Sequence, residues 1–209
     1  MIGVNKHLKA CEGNEMKMSD GEKIIILMLT ELYEKIGIDG EMDSDFLRSA
    51  IFNDKLWGIR WKYSGIPFSE AEDPAVVKEV VDVLDMWSFV ERAYADLSDE
   101  QKAELATLVT HFRGDPKFRG FDGNNESEHM GTALFLVNEL ERFEEFKGRD
   151  FNCHCPSIEM HRRMLAVFDP IRENLGFRSM SLKELASILN SQVPPSSRQA
   201  LTGGPPNAA

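Results

Sequence analysis

Two short stretches hold residue types that can do chemistry. The first is FNCHCPSIEMHRR, residues 151–163, where Cys153 and Cys155 flank His154 and His161 follows six residues after Cys155. Thiolate and imidazole are zinc ligands. Tetrahedral zinc sites, however, commonly pair their cysteines with two to four residues between them, and here only His154 intervenes. A thiol reading is better founded. With Cys155 as N-cap and Pro156 at the first helical position, the positive end of the helix dipole favours a Cys155 thiolate. A plain helix start outweighs both readings, with Met160, Met164 and Phe168 turned to the core.

The second stretch is GFDGNNESE, residues 120–128. Asp122, Asn124, Glu126 and Glu128 alternate, as hard oxygen ligands for Ca²⁺ do. The twelfth position of an Asp122-led loop is Ala133, where a bidentate Glu is required. A capped helix start fits better. Gly123 permits the turn, Asn124 or Asn125 caps, and Glu126 and Glu128 favour the positive end of the helix. An enzyme reading, hydrolase or thiol-dependent, draws on Asp122, Glu126, His129 and Cys155 as acid–base or nucleophilic groups near one cleft. The chain shows no G-x-S-x-G elbow, no phosphate-binding G-x-x-x-x-G-K and no H-E-x-x-H.

A third reading concerns LWGIRWKYSGIP. Trp57 and Trp61 with Arg60 and Lys62 have the aromatic–basic interleaving that stacks on single-stranded nucleic acid. The same residues serve as core anchors with snorkelling neighbours. The chain carries 24 basic and 35 acidic residues, a net charge of −11. That field repels phosphate backbones, so packing is the preferred reading and nucleic acid is an unfavoured partner.

These residues must be positioned by helices, because apolar spacing of three and four dominates the chain. Ser19 and Glu22 have capping-box spacing before Ile25, Met28, Leu29, Leu32 and Ile36, which predict one buried stripe. Asp43 caps a second helix bearing Phe46, Leu47, Ala50 and Ile51. Asp73 and Pro74 start a long helix whose stripe is Val77, Val80, Leu84, Trp87, Val90, Tyr94 and Leu97. Ser98 and Gln101 open a helix with Leu105, Leu108 and Phe112, ending before Gly114. Met130, Ala133, Val137, Leu140 and Phe143 form another stripe. A helix from Pro156 restarts or kinks at Pro170 and closes at Gly176, with Phe177 as the accompanying hydrophobic contact. Ser181 and Glu184 open the last helix. No run reads as a strand, so the fold class is all-α, a single domain of seven to eight helices.

The longest apolar run, Ile24 to Leu29, is far short of the ~20 residues a membrane span needs. Three cysteines, Cys11, Cys153 and Cys155, are no disulfide framework. With no signal-peptide core near Met1, a cytoplasmic setting is expected. Residues 1–17 carry no pattern, and residues 191–209 are rich in Pro, Ser and Gly, so a disordered tail is expected.

The segments FDGNNESEHMGTALFLVNELERFEEF, FNCHCPSIEMHRRMLAVF and VVDVLDMWSFVERAYADL together resemble the YfbU-like family of bacterial and archaeal proteins. The resemblance runs over residues 18–190 and rests most on Gly120-Phe121-Asp122, Glu126, Phe143, Phe151-Asn152, Pro156 and Arg163-Met164-Leu165. It implies an all-helical domain with no established reaction, seen as a ligand-binding or regulatory module. Cys153, His154 and Cys155 lie outside that family's pattern, which further lowers the metal and thiol readings. The match also makes Met16 or Met18 alternative translation starts to Met1.

The sequence therefore predicts a self-associating helical module that binds a protein or small molecule and uses no cofactor or metal. Its expected binding surface is Phe121, Asp122, Asn124, Glu126 and His129 with Asn152 and Cys155, since loops at helix starts carry function.

Overall fold

Local caps explain where several helices begin. In the computed structural model, which describes residues 15–38, 40–110, 112 and 114–194, three capping boxes form as the sequence predicts: Ser19 with Glu22, Ser98 with Gln101, and Ser181 with Glu184. In each, the serine oxygen takes a backbone N–H and the partner side chain takes another, so free helix-end donors are satisfied. Asp43 likewise accepts from Phe46 N at 2.9 Å. Among the described residues the fold is all-α: eight α-helices, one 3-10 turn at Glu144–Phe146 and no strand. The terminal segments expected to be irregular lie, up to residue 14 and from residue 195, outside the described residues.

The contacts gather into two compact units, the first ending at Ala75 and the second starting at Val76. The first holds α1 (Asp20–Ile36), α2 (Ser44–Phe52) and α3 (Trp57–Lys62). Its core is Phe46, Ala50, Ile51, Leu56, Trp57 and Ile59. Helix α1 packs on α2, and Arg48 reaches across to Glu34 at 2.9 Å. The α1 stripe departs from its expectation. Ile25 (58% exposed), Met28 (66%), Leu29 (49%), Leu32 (49%) and Ile36 (59%) face away from α2. Periodicity shows that a helix has an apolar face, not that the chain itself covers it.

The second unit holds α4 (Ala75–Ala95), α5 (Asp99–Leu108), α6 (Ser127–Asn138), α7 (Ile158–Leu175) and α8 (Leu182–Asn190). Val77, Val80, Leu84, Trp87 and Val90 of α4 are buried as the stripe predicts. Helix α8 packs against α5 and α7. Several boundaries differ from the sequence reading. Helix α7 starts at Ile158 with Ser157 as N-cap, so Cys155 is not the cap and Pro156 is not in the helix. Pro170 is accommodated inside α7, which continues to Leu175. Helix α5 stops at Leu108, and α6 stops at Asn138, before Leu140 and Phe143. Phe177 is fully exposed and makes no cap contact. The Asp73 carboxylate, expected to cap α4, takes Arg60 and, at 3.0 Å, Trp61 Nε1.

Candidate functional site

The two stretches singled out from the sequence meet in the second unit. Phe121 pairs with Asn152 in an isolated parallel bridge. Phe121 N donates to Phe151 O at 2.8 Å, and Cys153 N donates to Phe121 O at 3.0 Å. Gly120 makes this approach possible. Its φ is +90°, and a Cβ there would sit 1.9 Å from Phe151 O. Gly123 is next: its N–H donates to Asn152 Oδ1 at 3.0 Å, and a Cβ would lie 2.7 Å from Asn152 Nδ2. Only glycine tolerates both the backbone conformation and the crowding at Gly120.

Glu126 is the hinge pin of this junction. The sequence places Asn124 or Asn125 at the N-cap of α6; the structure places Glu126 there, without a side-chain bond to its own helix. Its carboxylate reaches instead to the start of α7, where Oε1 accepts Ser157 N and Ile158 N, each at 2.8 Å. Oε2 accepts Ser157 Oγ at 2.8 Å and Asp122 N at 2.9 Å. One buried carboxylate thus satisfies free donors of a helix that lies about thirty residues downstream and closes its own loop as well. Burial pushes the Glu126 pKa up, but the donors from Asp122, Ile158 and Ser157 outweigh it, and the net shift is down.

Asp122 is buried and closes a tight turn. Its carboxylate accepts Asn125 Nδ2 and, at 3.1 Å, Asn124 N. The Asn125 amide, then the Asn124 N–H, hold its pKa below the usual carboxylate range. His129 Nε2 lies 2.8 Å from Glu79 Oε2, and Arg162 Nε binds the other Glu79 oxygen at 2.6 Å. Asn124 and Cys155 are exposed, and Asn152 is half-buried. The seven expected binding residues are therefore brought to one region. Of these, Phe121, Asp122 and Glu126 are buried, and the two carboxylates accept hydrogen bonds from within the chain. Four accepted hydrogen bonds leave the Glu126 carboxylate no free lone pair with which to take a proton as a general base.

The zinc candidates separate. His161 is buried on α7, while His154 and Cys155 are exposed. Among the described residues no three His, Cys, Asp or Glu side chains are placed to hold a metal ion. The Cys155 thiol does not have the depressed pKa that a helix start would give. The neighbouring Cys153 charge, then burial, push it up.

His161 is the residue whose role the sequence did not reveal. Its Nδ1 accepts from Trp87 Nε1 at 3.2 Å, and its Nε2 faces Gly120 O at 3.3 Å. This is the neutral tautomer with a proton on Nε2. Burial lowers its pKa to about 4, so it stays neutral near pH 7. Around it Phe118 gathers Phe121, Phe146 and Phe151 at ring-centroid distances of 5.6, 5.5 and 5.8 Å. Glu91 anchors that ring cluster from α4, accepting Phe118 N and a two-pronged Arg149, all at 2.8 Å. The sequence signal for this hub was the run of Phe and Gly at 118–123, which reads as a loop unless its distant partner segment is known.

The aromatic–basic segment of the first unit is also occupied. Trp57 is buried, Arg60 binds Ala71 O and Asp73, and Lys62 binds Asp43 at 2.6 Å above the Phe46 ring. Its cations are already neutralised by carboxylates. Among the described residues no helix is long and apolar enough to cross a membrane.

A family model described as the YfbU domain matches residues 16–191. The UPF0304 protein MJECS11 of Methanocaldococcus jannaschii is 24% identical over 146 residues, covering 68% of this chain and 77% of that protein.

Proposed function

The chain belongs to the YfbU family, and we propose that it works as a protein-binding module whose binding face is the outer side of α1. The observation that carries this reading is a contrast. Asp122, Glu126 and Asn152 in the 118–129 and 151–158 segments are engaged by bonds within the chain, whereas α1 leaves Ile24, Ile25, Met28, Leu29, Leu32 and Ile36 exposed on one side. Contiguous exposed apolar area of this kind marks an interaction site. The 118–129 junction then serves as the rigid frame of the second unit.

A photo-reactive benzophenone amino acid placed at Met28 in the full chain, inside its host cell, tests the reading. A light-dependent adduct with a protein is expected, and none from the same group at exposed Glu173. No protein adduct at Met28 overturns the proposal.

A further inference from the structure

We infer that the occupant of the α1 face is a second copy of this chain, packed α1 against α1. The inference rests on the reading of α1 as a binding face and names its partner.

Spacing is the first argument. Ile25, Leu29, Leu32 and Ile36 are separated by four, three and four residues, which is the a/d rhythm of a helix–helix seam. Met28 widens that seam on one side. Such a row of aliphatic knobs and the holes between them complements its own image, as a two-fold interface requires.

Area is the second argument. The six exposed side chains present roughly 600 Å², close to the ~800 Å² that each partner gives to an interface of standard size. A dimer built on this seam, with contributions from its flanks, reaches the size at which association is stable.

The chain's own remaining segments are poor substitutes. Residues 195–209, PSSRQALTGGPPNAA, hold one large aliphatic residue, Leu201. Residues 1–14 hold Met1, Ile2, Val4 and Leu8 among Lys6, His7 and Lys9. Neither offers an apolar row as long as the one it would cover.

The face is also free to change without unfolding the unit. The inner side of α1 is what packs on α2, through buried Thr30 and half-buried Ile26, Leu27 and Tyr33. A charge at Leu32 therefore leaves the helical hairpin intact and places a carboxylate in the middle of the seam.

Sedimentation velocity of the purified full chain, at about 100 µM and below, gives the test. The wild type is expected to sediment as a dimer. Leu32→Glu is expected to weaken self-association by at least about tenfold, with unchanged helical circular dichroism, because the seam cannot hold two buried charges. The apolar control Leu32→Met is expected to keep the dimer. A wild-type dimer that persists in Leu32→Glu overturns the inference, since copies then meet elsewhere. A wild-type monomer also overturns it. In that case the Met28 cross-linking separates the two claims: an adduct with a different protein leaves the binding-face reading standing, and no adduct removes both.

Discussion

Replacing Glu126 by Ala should destabilise the second unit by about 3 kcal/mol, and the geometry shows why. The carboxylate accepts four hydrogen bonds, from Asp122 N, Ser157 N, Ser157 Oγ and Ile158 N, at 2.8–2.9 Å. Ser157 Oγ keeps a second partner in Gly120 O at 3.2 Å. Three backbone N–H groups do not. Leaving a buried donor unpaired costs about 1–3 kcal/mol, and water entering the vacated space recovers part of it. Relief of the carboxylate's own desolvation offsets a further part. The remainder is about 3 kcal/mol, or a fall in Tm on the order of 10 °C for a domain of this size. Glu126→Gln separates the contributions. Its oxygen can keep Ser157 N and Ile158 N, while its amide then faces the Asp122 N–H, donor against donor. About half the loss is expected. The assay is urea unfolding followed by Trp87 fluorescence in a Trp57→Phe, Trp61→Phe background, so that the signal reports the second unit. The folded pKa of Glu126 is depressed, so its contribution is present above the unfolded carboxylate value and is lost as pH falls through the folded one. The gap between wild type and Glu126→Gln should therefore close in acid. An alanine variant within about 0.5 kcal/mol of wild type, or a glutamine variant less stable than alanine, would refute the cross-link as described.

The other predictions concern the same frame. Gly120→Ala should cost more than about 3 kcal/mol, because an L residue at φ +90° is strained and its Cβ would lie 1.9 Å from Phe151 O. Gly131→Ala, which meets nothing within 4 Å inside α6, should instead stabilise by up to about 1 kcal/mol; thermal melts that fail to separate the two variants would undo the argument. Because His161 has a folded pKa of about 4, below its unfolded value, the unfolded chain binds the extra proton first. Stability is thus full above about pH 6.5 and falls by about 3 kcal/mol towards pH 4, a slope that denaturation at several pH values should find in wild type and lose in His161→Phe. Alkylation of Cys155 should titrate above an ordinary thiol, and Cys153→Ser should bring it down, since the neighbouring thiol is the first cause of the shift. A midpoint below that of a free cysteine would contradict it.

The reading of individual elements shows which information is local. Ser19, Asp43, Ser98 and Ser181 sit three residues from the N–H groups they cap, so their roles are legible in the chain order itself. Asp73 has the same signature but is drawn away by Arg60 and Trp61, two side chains that sequence spacing does not place beside it. Helices α5 and α6 end short of their apolar patterns for a related reason. The residues that extend the patterns, such as Phe143, are used outside the helix; Phe143 takes a left-handed backbone and stacks near Phe146 at 6.5 Å. The zinc and calcium readings treated neighbours in sequence as neighbours in space, and the thiol reading took Cys155 for the N-cap that Ser157 provides. In the folded chain His161 turns inward to Trp87 while His154 and Cys155 stay at the surface.

Sequence alone determined the all-α class, the starts of α1, α2, α5 and α8 and the apolar stripes of the longer helices, because these depend on 3.6-residue periodicity and on bonds between residues three or four apart. Tertiary structure decided what those features are for. Glu126 became a cap for α7 only when loop and helix met, since a carboxylate accepts from whichever donors are near in space. The α4 stripe was covered by its own unit and the α1 stripe was not, although both have the same rhythm, because an apolar face specifies only that something must cover it and leaves the partner to the surrounding fold.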